Sequence, residues 1–485
     1  MASYATLIFV AIAAEFLRRC FLMLKVAFTG PLSKVPGPLS MKISAIPWIW
    51  TQVKGAQITK NNELADKYGP IVRVSPNSLL ISSKDACQRI IVQEDWKKAP
   101  SYDKMNVHPG ITSIFTERDK TAYRKKRRLM SPGFSISYLN GLEPKMNACV
   151  EDFIDVLKSE CQQGNGAAII NIWHVLGNLG LDILAASVLG GPLGLVRSND
   201  QTFRHMFNDR VTKTVMYSQI PFLRYLPFMP AAVSPEWDKM IDRIIADRRA
   251  VPKGERQQDL LQLFLDNNEA NPEEFTETEV RGEIRVFMLA GSDTTSYSAT
   301  CALLLLLNNP ETFKALMTEI DAEFPALDSD ISFEKIQNMP YLNAVISESM
   351  RLMPAAAAGL LRVAEKDTFV EGYEVPEGTV TYVMTPRAMH DENIWPDAKD
   401  FIPERWLRPY KGKDIDRKAY LPFSGASRNC IGQQYALREM RLILVKLLRR
   451  FDVALVPGQS HELRFKIVPQ FTSGQYLIKI RPREK

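Results

Sequence analysis

Phe423-Ser424-Gly425-Ala426-Ser427-Arg428-Asn429-Cys430-Ile431-Gly432 is a Gly- and Ser-rich loop that brings one cysteine to the start of a long helix, expected over residues 431–451. A helix N-terminus directs unpaired N–H groups and the positive end of its dipole at that sulfur, which favours thiolate over thiol. Thiolate is the form that binds a metal. The six cysteines, Cys20, Cys87, Cys149, Cys161, Cys301 and Cys430, are scattered and form no CxxC pair, which speaks against a disulfide scaffold and against zinc. A lone cysteine is ordinarily a small buried hydrophobe. The neighbours of Cys430 suggest more. Arg428 can grip a carboxylate bidentately, Phe423 can keep the sulfur dry, and Gly432 allows a close approach beside it.

This segment resembles the cysteine-ligand loop of cytochrome P-450 monooxygenases, Phe-x-x-Gly-x-Arg-x-Cys-x-Gly. The central glycine of that pattern is Ala426 here; a positive φ at that position would make alanine cost about 1 kcal/mol. The resemblance implies haem b, with Cys430 as the axial ligand to iron, Arg428 on a propionate, and Phe423 and Gly432 beside the sulfur. It covers nearly the whole chain. Ala290-Gly291-Ser292-Asp293-Thr294-Thr295 is similar to the oxygen-activation motif, in which Thr294 hydrogen-bonds dioxygen and Asp293 links the site to solvent protons. The residues alone also allow threonine hydroxyls bonding back to the preceding turn. A widened turn over residues 290–294 would accommodate both readings. Tyr123-x-x-x-Arg127 matches a Trp-x-x-x-Arg pair at the haem edge, and Arg362 matches a propionate-binding arginine near a strand. Glu348, Arg351 and Arg405 match a buried charge network that holds the cysteine loop, a folding role. Finer texture in residues 388–391 and 433–451 is most like filamentous-fungal monooxygenases of secondary metabolism.

Periodicity gives a fold class that is mostly α with a minor antiparallel β region. The resemblance makes this a single cytochrome P-450-like catalytic domain, residues 31–485, with a long central helix over the haem. That helix opens on a capping box at Thr276 and Glu279 and runs apolar on all sides to Leu307, where Asn308-Asn309-Pro310 stops it. A second helix is expected from Tyr341 to Leu352. Strands are expected at residues 71–74 and 79–81, and at residues 368–375 and 379–384 joined by Pro376-Glu377-Gly378. A hairpin is expected around Thr472-Ser473-Gly474. The polar run 252–274 is expected to loop over the surface.

Residues 1–30 read as a membrane anchor and hinge. Residues 2–14 are largely apolar, but Glu15, Arg18 and Arg19 interrupt before apolar residues resume, and a spanning helix wants about 20 apolar residues. A transmembrane helix is the first expectation and an interfacial helix the alternative. Flanking basic residues would keep the body on the cytosolic side, and the endoplasmic reticulum is the expected membrane. A composition of 46% hydrophobic and 24% charged residues is globular, and a net charge of +6 over 485 residues is too mild to imply nucleic acid. The five histidines, at positions 108, 174, 205, 390 and 461, show no metal-ligand spacing.

No dinucleotide- or flavin-binding segment is visible. The resemblance therefore implies electrons from an NADPH-dependent cytochrome P-450 reductase, docking on basic residues 124–128 and on Arg438, Arg441, Lys446, Arg449 and Arg450. It implies insertion of one oxygen atom into an apolar small molecule, with pocket candidates at 101–115, 206–229, 287, 355–361 and 470–471. Two rivals remain open: a haem-thiolate isomerase, dehydratase or peroxide-driven enzyme, and a haem-binding protein without turnover.

Overall fold

Apolar residues on every side of the Glu277–Leu307 helix require that it be enclosed, and the rest of the chain is arranged around it. The computed structural model describes residues 4–106, 110–200, 235–327 and 329–484, with scattered positions between 201 and 234. The helices that position the site are α1 (Tyr4–Phe28), α2 (Lys120–Met130), α3 (Ile136–Gln163), α4 (Ile172–Val188), α5 (Glu277–Leu307), α6 (Pro340–Leu352) and α7 (Gln433–Arg450). The predicted capping box opens α5: the Thr276 hydroxyl accepts from the Glu279 amide, and the Glu279 carboxylate accepts from the Thr276 amide at 2.9 Å. Helix α4 packs along α5, while α7 packs against both α5 and α3. Two glycines permit the close α4–α5 crossing. A Cβ at Gly180 would stand 3.1 Å from the Ser292 carbonyl, and one at Gly291 would stand 3.0 Å from the Leu184 methyls.

The strands are β1 (Ile71–Ser75), β2 (Ser78–Ile81), β3 (Ala168–Asn171), β4 (Leu360–Val363), β5 (Thr368–Val370), β6 (Tyr373–Val375), β7 (Val380–Val383), β8 (Phe451–Leu455), β9 (Leu463–Phe465), β10 (Pro469–Phe471) and β11 (Leu477–Pro482). They form a four-stranded sheet in the order β1-β2-β7-β4, a three-stranded sheet β3-β11-β8, and the pairs β9-β10 and β5-β6. Every pairing is antiparallel except β2 with β7, whose register runs from Ser78↔Val380 to Ile81↔Val383. That parallel pair is possible because the long helical excursion between residues 81 and 380 supplies the crossover.

Several local expectations need correction. Residues 368–375 are not one strand: they fold back at Glu371 and Gly372, both with positive φ, into the β5–β6 hairpin. Strand β7 then pairs with β2 and β4 instead of closing on β6. Strands β10 and β11 flank the Thr472–Gly474 turn but belong to different sheets. Within 252–274, Leu260–Ala270 is a helix, capped by Asp259, whose carboxylate also holds the buried Arg248 guanidinium at 2.7 Å. Of the docking face expected on the last helix, Arg438, Lys446 and Arg449 are buried, while Arg441 and Arg450 are half-buried. Arg438 stacks 3.7 Å from the Phe333 ring centroid, Lys446 pairs with Glu151, and Arg449 donates to the carbonyls of Phe324 and Pro325. Enclosure of α7 leaves these long side chains to bury their stems and place their charged heads on internal acceptors. On α2, Arg124 and Arg128 do face solvent.

The N-terminus is a single 25-residue helix, Tyr4–Phe28, and the expected transmembrane span is not shown. No helix among the described residues is long and apolar enough to cross a membrane. The cause lies in the middle of α1, where Glu15 pairs with Arg18 at 2.6 Å and Arg19 at 2.8 Å. Those guanidinium groups pull the Glu15 carboxyl down to about 2. Large apolar side chains on either side, among them Phe9, Phe16, Leu17 and Phe21, are exposed.

Candidate cofactor site

The cysteine loop is held by backbone bonds that wrap it back on itself. Cys430 N donates to Phe423 O at 2.9 Å, Ser424 N to Leu421 O at 3.1 Å, and Asn429 N to Ala426 O at 3.3 Å. This return places Ser424 at φ 61° and Ala426 at φ 52°. The positive φ at Ala426 settles the cost of the missing glycine: the Cβ is carried in the left-handed region, at about 1 kcal/mol. Ala426→Gly is therefore expected to stabilise the protein by up to about 1 kcal/mol, raising the melting temperature by a degree or two. A lower melting temperature would show that the Ala426 methyl makes contacts worth more than the strain. Gly425 is needed for space, since a Cβ there would meet Val92 at 2.7 Å.

Helix α7 begins three residues after Cys430, with Gly432 as its N-cap at φ −85°. Gly432 therefore needs no special backbone freedom, and a Cβ there would lie 4.0 Å from the Cys430 sulfur, an ordinary contact. Solvent reaches Cys430, in contrast to the buried Cys87, Cys149, Cys161 and Cys301. The loop is nonetheless set deeply enough that desolvation pushes the thiol above its ordinary value, against the pull of the Gly432 amide and Arg127. The helix end alone does not make a thiolate here. Metal coordination deprotonates a thiol outright.

Four of the predicted residues converge beside this loop. Arg127 donates to Asn429 O at 2.6 Å, to Asn429 Oδ1 at 2.8 Å and to the Tyr123 hydroxyl at 3.1 Å. Arg428 lies 4.4 Å from the Tyr123 ring centroid and donates to the carbonyls of Glu117 and Arg118, both at 2.8 Å. Arg362, on β4, is buried, and its guanidinium donates to Leu361 O at 3.0 Å. The Nε atoms of Arg362 and Arg428 are both buried without a partner. A fifth group was not singled out in the sequence. Lys98 forms an isolated bridge with Arg362, lies buried 5.3 Å from the Tyr123 ring centroid, and donates to Ile114 O and Phe115 O. Burial, then Arg428 and Arg362, hold its ammonium well below the ordinary lysine range. Lys98 follows Lys97 in a polar stretch that looks like surface, and only its pairing with β4 turns it inward. Phe423 packs half-buried on the main core.

Thr294 and Asp293 sit half-buried on α5. The Thr294 hydroxyl donates to Ala290 O at 2.7 Å, and Ser292, Ser296 and Ser298 make the same bond four residues back. This is the plainer of the two readings, and the widened turn is absent: α5 is regular throughout its span. Two buried carboxyls nearby also escaped the sequence reading. Glu283 accepts from the Ile114 amide at 2.7 Å, tying that loop to α5, and desolvation pushes it up to about 8. Glu439 on α7 is fully desolvated and held well above the ordinary carboxyl range, near the Gly180–Ser292 crossing. Only its place on the apolar face shared with Tyr435 and Leu442 could have flagged it.

The buried charge network is present in full. The Glu348 carboxylate accepts from Arg351 at 2.8 and 2.9 Å, from Arg405 at 3.0 Å, from the Trp406 indole at 2.9 Å and from the Ile402 amide at 3.2 Å. Arg351 and Arg405 spend their remaining donors on the carbonyls of Met389, Ala398, Asp400, Pro396 and Asp397. Among the described residues no cluster of His, Cys, Asp and Glu could hold a metal ion. His390 bonds the carbonyls of Arg351 and Leu352, while positions 108 and 205 lie outside the described residues. Two of the expected pocket positions are core: Phe287 stacks on Phe134, and Phe471 packs on Trp173 and Tyr476. Most of 206–229 lies outside the described residues.

The family model for Cytochrome P450 matches residues 38–481, which carry both the cysteine loop and the long helix. The chain belongs to the cytochrome P450 family. Cytochrome P450 monooxygenase LUC2 of a Fusarium species is 33% identical over 96% of this chain and 91% of its own length. Cytochrome P450 monooxygenase acrD of Aspergillus aculeatus is 33% identical over 94% and 92%, and FUS8 of Gibberella moniliformis is 32% identical over 97% and 90%. The crystal structure of a cytochrome P450, CYP102L1, superposes with a TM-score of 0.76 over 88% of this chain and 94% of that one, at 23% identity. Cytochromes P450 are haem-thiolate enzymes with haem iron and an axial cysteine, and this one is of the monooxygenase type. The described side chains fit that cofactor. Arg362 and Arg428 each keep an unpartnered buried Nε among the described residues, and the buried Lys98 and half-buried Arg127 stand beside them, a basic cluster suited to the two propionates.

Proposed function

We propose that Cys430 supplies the axial thiolate and that the enzyme inserts one oxygen atom from dioxygen into an apolar, bulky small molecule of fungal secondary metabolism. Electrons come from an NADPH-dependent cytochrome P450 reductase. The observation that carries this reading is the joining of the cysteine loop to the buried cations through Arg127 and Asn429. Thiolate-held haem favours cleavage of the O–O bond. The protein's tasks are to bind the propionates through Lys98, Arg362, Arg428 and Arg127, to keep water from the sulfur with Phe423, and to deliver protons through Thr294 and Asp293. The exposed pair Arg124 and Arg128 on α2 suits the acidic surface of the reductase.

Thr294→Ala tests the reaction class. Its hydroxyl bonds only a carbonyl of its own helix, so the fold and haem content should survive. Positioned proton delivery contributes about 10²–10⁴-fold. Product per NADPH oxidised should therefore fall steeply while hydrogen peroxide rises in parallel. Coupling at the wild-type ratio would favour an isomerase, dehydratase or peroxide-driven enzyme instead.

The exposed apolar surface of α1, with a central cluster in which Glu15 pairs with both Arg18 and Arg19, supports attachment along a bilayer interface, at the cytosolic face of the endoplasmic reticulum. Deleting residues 2–22, which spares the helix end held by Arg73, should move the protein into the soluble fraction with its haem retained. Unchanged membrane retention would assign attachment to another apolar surface, such as the exposed Ile46 and Trp50.

A further inference from the structure

A cavity of about 250 Å³ lies where α1 meets the body, between the helix end, the Pro31–Lys34 turn and the short helix Leu39–Ile43. Its lining has two characters. Ala27, Phe28 and Leu39 are apolar, and the latter two are exposed; Ser33, Lys34 and Lys42 are polar, and no lining residue is acidic.

The cavity is rigidly built. Arg73, buried on β1, donates to Val26 O at 3.0 Å, Ala27 O at 3.3 Å, Leu32 O at 3.2 Å and Pro76 O at 2.7 Å, and so fixes the end of α1 to the sheet. Gly37 seals that joint, because a Cβ there would lie 2.4 Å from the Arg73 carbonyl. Lys42 donates to the Ser33 carbonyl at 3.2 Å, and neither it nor Lys34 has an ion pair among the described residues. Burial, and then the nearby Arg73, lowers the Lys42 ammonium. Two lysines thus line one amphiphilic hollow that has no carboxylate, with the buried Arg73 behind it, at the foot of an apolar exposed helix.

We propose that this cavity binds the phosphate of an anionic glycerophospholipid, with Lys34 and Lys42 on the phosphate and Phe28, Leu39 and Ala27 against the glycerol and first acyl carbons. The inference rests on the membrane reading of α1.

The test uses the full chain with sedimented vesicles, either of phosphatidylcholine alone or with about a third phosphatidic acid. Wild-type protein should bind the acidic vesicles about tenfold more tightly than the neutral ones. The double variant Lys34→Gln, Lys42→Gln should lose that gain and keep its neutral binding, while the charge-matched control Lys314→Gln, Lys479→Gln keeps both. Retention of the gain in the cavity variant, or its loss in the control, overturns the site. If neutral vesicles leave the wild type unbound, the membrane reading fails on its own. The cavity is then decided by titrating water-soluble dihexanoylphosphatidate onto the full chain. Binding that disappears in the cavity variant supports the site. Equal binding by both proteins, or inorganic phosphate competing as well as the lipid, overturns it.

Discussion

Cys430→Ser protein is expected to lose the red-shifted absorbance of its reduced carbon monoxide complex, and product formation should fall to background. A serine hydroxyl fits the same space but does not ionise as a thiol does, so the electron donation that favours O–O cleavage goes with the sulfur. The rest of the site is built independently of that atom. The Cys430 amide still reaches Phe423 O, Arg127 still holds Asn429, and Arg428 still caps two carbonyls. Some haem should therefore remain bound through the cations, which separates loss of the ligand from loss of the pocket. A variant that keeps the red-shifted band would refute the assignment of Cys430.

Glu348→Ala should do its damage before chemistry begins. It leaves the guanidinium groups of Arg351 and Arg405 in the interior, where their side chains are 0% and 2% exposed, with no counter-charge. Removing one member of a buried ion pair costs about 3–5 kcal/mol, a large share of the roughly 5–15 kcal/mol that holds a protein folded. The expected result is little soluble haem-containing protein, with the remainder melting many degrees below wild type. Glu348→Gln keeps the acceptor oxygen and should fall between the two. A normally folded, fully loaded Glu348→Ala protein would mean that the network is dispensable.

The parts of this molecule that were legible in sequence are those whose signal is local. The capping box at Thr276, the stop at Asn308, and the spacing of Phe423, Arg428 and Cys430 each lie within a few residues. The charge network was legible only through family resemblance, because Glu348 and Arg405 meet across 57 positions. Lys98 was missed for the same reason: its inward direction depends on a bridge to Arg362. The strand partners of β7 and β11 were missed because a turn between two strands does not dictate that they pair. Arg438, Lys446 and Arg449 of α7 were misplaced because a basic residue looks alike on a surface and inside, where here a ring, a carboxylate and backbone carbonyls receive them. At Ala426 the sequence posed the question and only φ could answer it.

The cluster of Lys98, Arg127, Arg362 and Arg428 also bears on how this enzyme is made. Like charges gathered in a poorly solvated place repel one another, and a dianionic cofactor relieves that repulsion. Whatever binds the folded chain and not the unfolded one shifts the balance toward folding by mass action. Haem then acts as part of the fold as well as of the chemistry: loaded protein should melt at a higher temperature than protein stripped of its cofactor.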